Sequence, residues 1–141
     1  MKTRIILMTA IVMLAIQFTF AAEPAKKFGT EEQKVAFATK NLLSALQLNN
    51  PGVIESALQI TAQMKMRHPE ANVSELVTVM NTIWKKNPSG TIRYKAYLAM
   101  SICENPVWFS NLGAFRESND ENFFYAASNV LQEHLLSSNL N

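Results

Sequence analysis

The sequence predicts an all-α fold: a short stack of antiparallel helix pairs. Three observations carry that expectation. Apolar residues recur at helical spacing along most of the chain, no long stretch alternates with the period of two that a strand requires, and one helical cadence repeats. Asn50-Pro51 and Asn87-Pro88 stand 37 residues apart, each between two helical patterns of similar apolar spacing. Asn at an N-cap accepts a hydrogen bond from an orphan backbone N–H, and Pro at the first helical position gives up a donor that has no partner there. Both pairs are accordingly expected to open helices. Punctuation that returns at a fixed interval marks stacked helical hairpins, an architecture that binds more often than it catalyses.

The elements follow in order. Thr30 with Gln33 forms a capping box, with Glu31 and Glu32 at the positive helix end, and opens a first helix reaching Leu48. Val35, Ala38, Leu42, Ala45 and Leu46 share one face of it. A second helix starts after Asn50-Pro51, carries Val53, Ala57, Ile60 and Met64 as its stripe, and stops at His68-Pro69. Asn72 to Glu75 reads as another capping box. It precedes a third helix striped by Val73, Leu76, Val77, Met80, Ile83 and Trp84, with Lys85 and Lys86 in its last turn. The fourth helix, Thr91 to Cys103, has an apolar surface broad enough to touch helices on two sides. A short fifth turn, Val107 to Leu112, follows Asn105-Pro106, and a third capping box at Ser118 to Glu121 opens a last helix, Asp120 to Leu136.

The first residues read as an address. Lys2 and Arg4 form a positive n-region, Ile5 to Ile16 is free of charge, and Thr19 and Ala21 are small residues near a cut after Ala21 or Ala22. The competing reading is an uncleaved anchor, since Ile5 to Ala22 spans 18 residues, the low edge of the roughly 17–25 that cross a bilayer. Gln17 and Thr19 weaken that span and favour a signal peptide over residues 1–21. A tether over residues 22–30 and a helical repeat domain over 31–137 complete the expected organisation. The protein is expected to be exported, either periplasmic or secreted.

Removal of the leader takes Lys2 and Arg4 from the 13 Lys and Arg, leaving 11 against 11 Asp and Glu. A neutral mature chain makes no electrostatic case for nucleic acid or for an acidic membrane surface. Any membrane association is then transient, through the signal peptide. Cys103 is the only cysteine, so no disulfide forms within the chain, and stability must come from helix packing.

The segment from Asn87 to Pro106, with Ile92, Arg93, Ala96 and Ala99, resembles the second helix of a HEAT-type repeat. The preceding unit matches at Val53, Ala57 and Ile60 but has Ile54 or Glu55 where the Arg would stand. A third unit matches only at Phe123, Ala127 and Val130. The 37-residue interval lies between the ~34 of tetratricopeptide repeats and the ~40–47 of HEAT and armadillo units. Trp108 with Leu112-Gly113 is one residue off the tetratricopeptide spacing, which favours the HEAT-like reading. The resemblance implies that Arg93 pairs with an acid or carbonyl of a neighbouring unit.

Residues with chemical potential each have a structural reading beside the functional one. Met64, Met66 and His68 offer thioether and imidazole groups suited to Cu(I), yet Met66 lies about 200° round the helix from Met64. Cys103 sits on an apolar stripe, as a buried inert thiol does, and His134 sits at the edge of one with no motif to supply a catalytic partner. Glu104 and Glu117 read as solvated loop charges, and Asn72-Val73-Ser74 is formally a glycosylation sequon. Residues 106–115 hold Trp108, Phe109, Leu112 and Phe115, either as interface anchors or as the cap of an open stack end. No catalytic residue, cofactor or metal is expected. The function expected is an exported, non-catalytic protein-interaction module that binds an envelope protein, with Trp108, Phe109, Phe115, Tyr97 and Arg93 as partner-binding residues. A carrier of small apolar ligands is the alternative.

Overall fold

Residues 29–115 and 120–138 are described by a computed structural model. The expected leader, most of the tether and the start of the third capping box at Ser118 lie outside the described residues. Five α-helices and one 3-10 segment account for the rest: α1 (Glu31–Leu46), α2 (Pro51–Arg67), α3 (Ser74–Lys86), α4 (Gly90–Glu104), the 3-10 segment Pro106–Phe115 and α5 (Asp120–Ser138). Among the described residues there is no strand, and no helix is long and apolar enough to cross a membrane.

The first two helices start as their sequences dictate. Thr30 accepts from the Gln33 N–H at 3.3 Å, and the Gln33 amide reaches back to the Gly29 N–H at 2.9 Å, one residue further out than in the usual box. Asn50 accepts from the Val53 N–H at 3.2 Å with Pro51 in the first turn.

The second Asn-Pro pair does a different job. Asn87 ends α3, with φ −64° and ψ 135°, and α4 is capped by Ser89, whose hydroxyl accepts from the Ile92 N–H at 3.3 Å. The Asn87 side chain accepts from the Ser89 N–H at 2.9 Å, which turns the chain between the helices. Proline explains the difference. A residue before Pro is pushed out of the helical region, and α2, α3 and α4 all end on such a residue: His68, Asn87 and Asn105, before Pro69, Pro88 and Pro106. Asn72 is likewise not the N-cap of α3. Its side chain accepts from the Ser74 N–H at 3.1 Å, and Val73, which occupies the cap position, makes no side-chain cap.

Packing centres on α2 and α4. The α4 helix lies against α2, α3, α5 and the 3-10 segment, and α2 lies against α1, α4, α5 and the 3-10 segment. Residues on most of the circumference of α4 are buried, including Ile92, Ala96, Leu98, Ala99, Ile102 and Cys103. That matches the broad surface expected of it. In α2 the deepest face runs through Ile54, Leu58, Thr61 and Ala62. Ile60, expected on the stripe, is 49% exposed. A helix enclosed by four neighbours buries more than one stripe, and Ile60 falls in the gap between them. The α5 helix contributes Phe123, Phe124, Ala127 and Leu131 to the same core.

The cap assignments lead to a test. Asn50→Ala and Ser89→Ala should each lower stability by about 1 kcal/mol in urea unfolding. A Ser89→Ala midpoint equal to that of the parent would return the cap to Asn87.

Candidate functional site

Enclosing α4 brings polar groups inside, and each finds a partner in a particular way. Thr61 and Ser101 donate to the carbonyls of Ala57 and Tyr97, one turn back, at 2.7 and 3.0 Å. The Lys95 ammonium is nearly buried, 3.2 Å from the Glu55 carboxylate of α2 and 5.6 Å from the Phe124 ring centroid of α5. One cation thereby joins three helices. Sequence reading missed this pair, although a signal existed: Lys95 follows Ile92 by three and precedes Ala99 by four, on the edge of the apolar face. Gln63 is the exception. Its Nε2 is buried with no hydrogen-bond partner, a state that costs about 1–3 kcal/mol.

Two cations on the helices hold the loops. Arg93 Nη1 donates to the carbonyls of Asn87 and Pro88 at 2.7 and 3.3 Å, where the negative end of α3 favours a positive charge. Lys65 Nζ donates to the carbonyls of Pro69 and Ala71 across the α2–α3 turn. Arg93 therefore pairs with carbonyls of the loop before its own helix, and its guanidinium is committed to the turn.

The aromatic residues expected as partner anchors do not form one surface. Trp108 is 41% exposed and stacks on His134 of α5, with ring centroids 4.7 Å apart and planes at 14°. Phe109 is fully buried and packs in the core, so its ring has no face to offer a partner. Burying a Phe ring stabilises the fold by about 1.5–3 kcal/mol, which is why the 3-10 segment turns Phe109 inward and leaves Val107 outside. The side chain of Phe115 lies outside the described residues. Tyr97 is elsewhere, on the α3 side of α4, against Trp84 with ring centroids 5.8 Å apart and planes at 37°.

Trp84 is the residue that sequence reading placed in a core stripe and the structure places at a surface. It is 40% exposed at the end of α3, with Lys85 Nζ 5.9 Å from its ring centroid. Together with Val77, Asn81, Tyr97, Met100 and Glu104 it lines a cleft of about 360 Å³ between α3 and α4. Apolar and aromatic residues share the lining with polar ones, Thr78 and Ser101 among them. Rigid helices form both walls, so a ligand would meet a preformed surface.

Chemically reactive groups are not gathered here. Cys103 is buried, and desolvation pushes its thiol up from an ordinary 9.0 to about 12, with Lys65 lowering and Glu104 raising it as lesser influences. A protonated thiol at neutral pH is a poor nucleophile. Met64 and His68 line one cavity and Met66 another, so the three do not converge. His68 lies 3.6 Å from Glu70. A cleft of about 490 Å³ carries Glu31, Glu32, Glu70 and Glu75, but among the described residues no group of three His, Cys, Asp or Glu side chains could hold a metal. The Glu31 carboxyl is held below its usual range by the Lys34 hydrogen bond and charge.

Compared with protein families, curated proteins and solved structures, the chain matches none. Its geometry must carry the functional reading.

Two outcomes are expected from the interior. Glu55→Ala should destabilise the protein by about 3–5 kcal/mol, because it leaves the Lys95 charge buried and unpaired. The double replacement Glu55→Leu/Lys95→Met should recover most of that loss in urea unfolding. Cys103 binds its proton more tightly in the folded state. Stability should therefore fall as pH rises from about 9 towards 12, by at most about 1.4 kcal/mol per pH unit. In Cys103→Ala that alkaline slope should be shallower by this amount.

Proposed function

We propose that this chain is an exported, non-catalytic interaction module of the cell envelope that holds a segment of a protein partner in the α3–α4 cleft. The observation that carries the reading is Trp84, a large aromatic ring left partly exposed beside Tyr97 on helices anchored in the core. Folding alone favours burying Trp. A Trp at the lip of a cleft, with a second aromatic beside it, has the composition of interface hot spots. Export rests on the sequence of residues 1–22, with its Lys2 and Arg4 before an uncharged run.

The architecture we assign is two stacked helical hairpins, α1–α2 and α3–α4, closed at one end by the 3-10 segment and α5. Packing of α1 on α3 and of α2 on α4 supports that stacking, because successive hairpins of a solenoid meet through their equivalent helices. The HEAT-like resemblance of α4 fits the same scheme. Partner recognition moves away from the aromatic segment 106–115, since Phe109 is in the core and Trp108 covers His134.

The test is in-cell crosslinking of the tagged full-length protein with mass spectrometry of what is captured. Trp84→Ala should reduce capture of a specific envelope protein by more than tenfold, the loss typical of a hot-spot aromatic, while Trp108→Ala leaves it unchanged. Equal capture by a folded Trp84→Ala variant would refute the cleft as the docking site.

A further inference from the structure

One motif of the sequence belongs neither to the core nor to the cleft. Asn72-Val73-Ser74 is an Asn-x-Ser/Thr triplet, the acceptor signal for N-linked glycosylation of exported proteins. It is the only such triplet in the chain whose middle residue is not Pro. Glu70 stands two residues before the asparagine. Transferases of the bacterial envelope read that longer form, Asp/Glu-x-Asn-x-Ser/Thr, in which a cation on the enzyme engages the added carboxylate. Glu70-Ala71-Asn72-Val73-Ser74 matches it at every specified position.

The structure presents this motif where α2 turns into α3. Ala71 and Val73 are buried, at 8% and 6% exposure, whereas Glu70, Asn72 and Ser74 are all exposed. The three side chains that a transferase reads therefore face solvent, and the two that it does not read anchor the turn to the core. Asn72 Oδ1 accepts from the Ser74 N–H at 3.1 Å, which leaves Nδ2 outside that bond. A glycan on Nδ2 leaves Oδ1 free to go on accepting, so modification is compatible with the turn. Asn87-Pro88-Ser89 makes the same turn, with Asn87 accepting from the Ser89 N–H at 2.9 Å, but Pro at the middle position excludes it from the motif. The molecule thus carries its own negative control.

We infer that Asn72 is an acceptor for an N-linked glycan, transferred after export from an oligosaccharide carried on a polyprenyl diphosphate. Asn72 Nδ2 attacks the anomeric carbon of the first sugar, and a C–N bond forms as the C–O bond to the diphosphate breaks. The polyprenyl diphosphate leaves with the electron pair, and one Nδ2 proton passes to a base of the transferase. The inference rests on the export reading and on no part of the α3–α4 cleft.

The test expresses the chain in a bacterial host that carries a periplasmic oligosaccharyltransferase and its lipid-linked glycan. The chain is made once with its own leader and once with residues 1–21 exchanged for a leader that the host exports. Intact mass of the periplasmic protein should show one glycan per chain, mapped to Asn72 by peptide mass spectrometry, with Asn87 bare. Asn72→Gln, Ser74→Ala and Glu70→Gln should each lose the glycan, and Ser74→Thr should keep it. A glycan on the exchanged-leader chain alone would support the acceptor and refute export by residues 1–21. A bare periplasmic chain behind the exchanged leader, a glycan retained in Asn72→Gln, or full modification of Glu70→Gln would overturn the proposal.

Discussion

The enclosure of α4 is the constraint on which the rest of this structure depends. A helix packed on by α2, α3, α5 and the 3-10 segment has little solvent-facing surface. Its neighbours can approach only where the side chains between them are small or well shaped. Ala96 and Ala99 provide that on α4, and Ala57 and Ala62 on α2, all of them buried. Enclosure also dictates how polarity is handled. Buried hydroxyls turn back onto their own helix, and the Lys95 ammonium is fixed between a carboxylate and an aromatic ring from two other helices. The Lys95–Glu55 pair orients three helices but is a weak net source of stability, because desolvating both charges offsets much of their attraction.

The features that suggest function arise at the edges of this centre. Once α3 lies along α4, the row Leu76, Met80 and Ile83 is used up in the core, and Trp84, one residue beyond it, is carried to the rim. Gln63 is buried because the 3-10 segment and the α2–α3 turn fold over the last turns of α2. The same element that seals the core with Phe109 walls a cavity at the end of α2 through Pro106, Val107, Ser110 and Leu112.

Much of the fold is legible in local sequence. Thr30-Gln33 and Asn50-Pro51 specify their helix starts, and the breadth of apolar residues on α4 announces a helix with neighbours on several sides. The second Asn-Pro pair was not legible from spacing, because the same dipeptide can start a helix or stop one. Ser89, two residues after Asn87, decided which. Periodicity equally could not separate Trp84 from the core row it follows, or show that Ile60 falls between two contacts of α2. Lys95 looks like a surface charge until Glu55, 40 residues earlier, is known to lie opposite it. Of the anticipated site residues, Tyr97 stands in the cleft, Trp108 covers His134, Arg93 braces a turn and Phe109 is core. Each of those differences depends on contacts between distant segments, which a single sequence does not display.

Native-state hydrogen exchange followed residue by residue is the most direct test of α4 as the enclosed centre. Amides of α4 and of the buried face of α2 should exchange slowest of all, at rates set by global unfolding. The outer helices α1 and α5 should exchange through smaller openings. Amides of α4 that exchange as fast as those of α1 would contradict a structure organised around that helix.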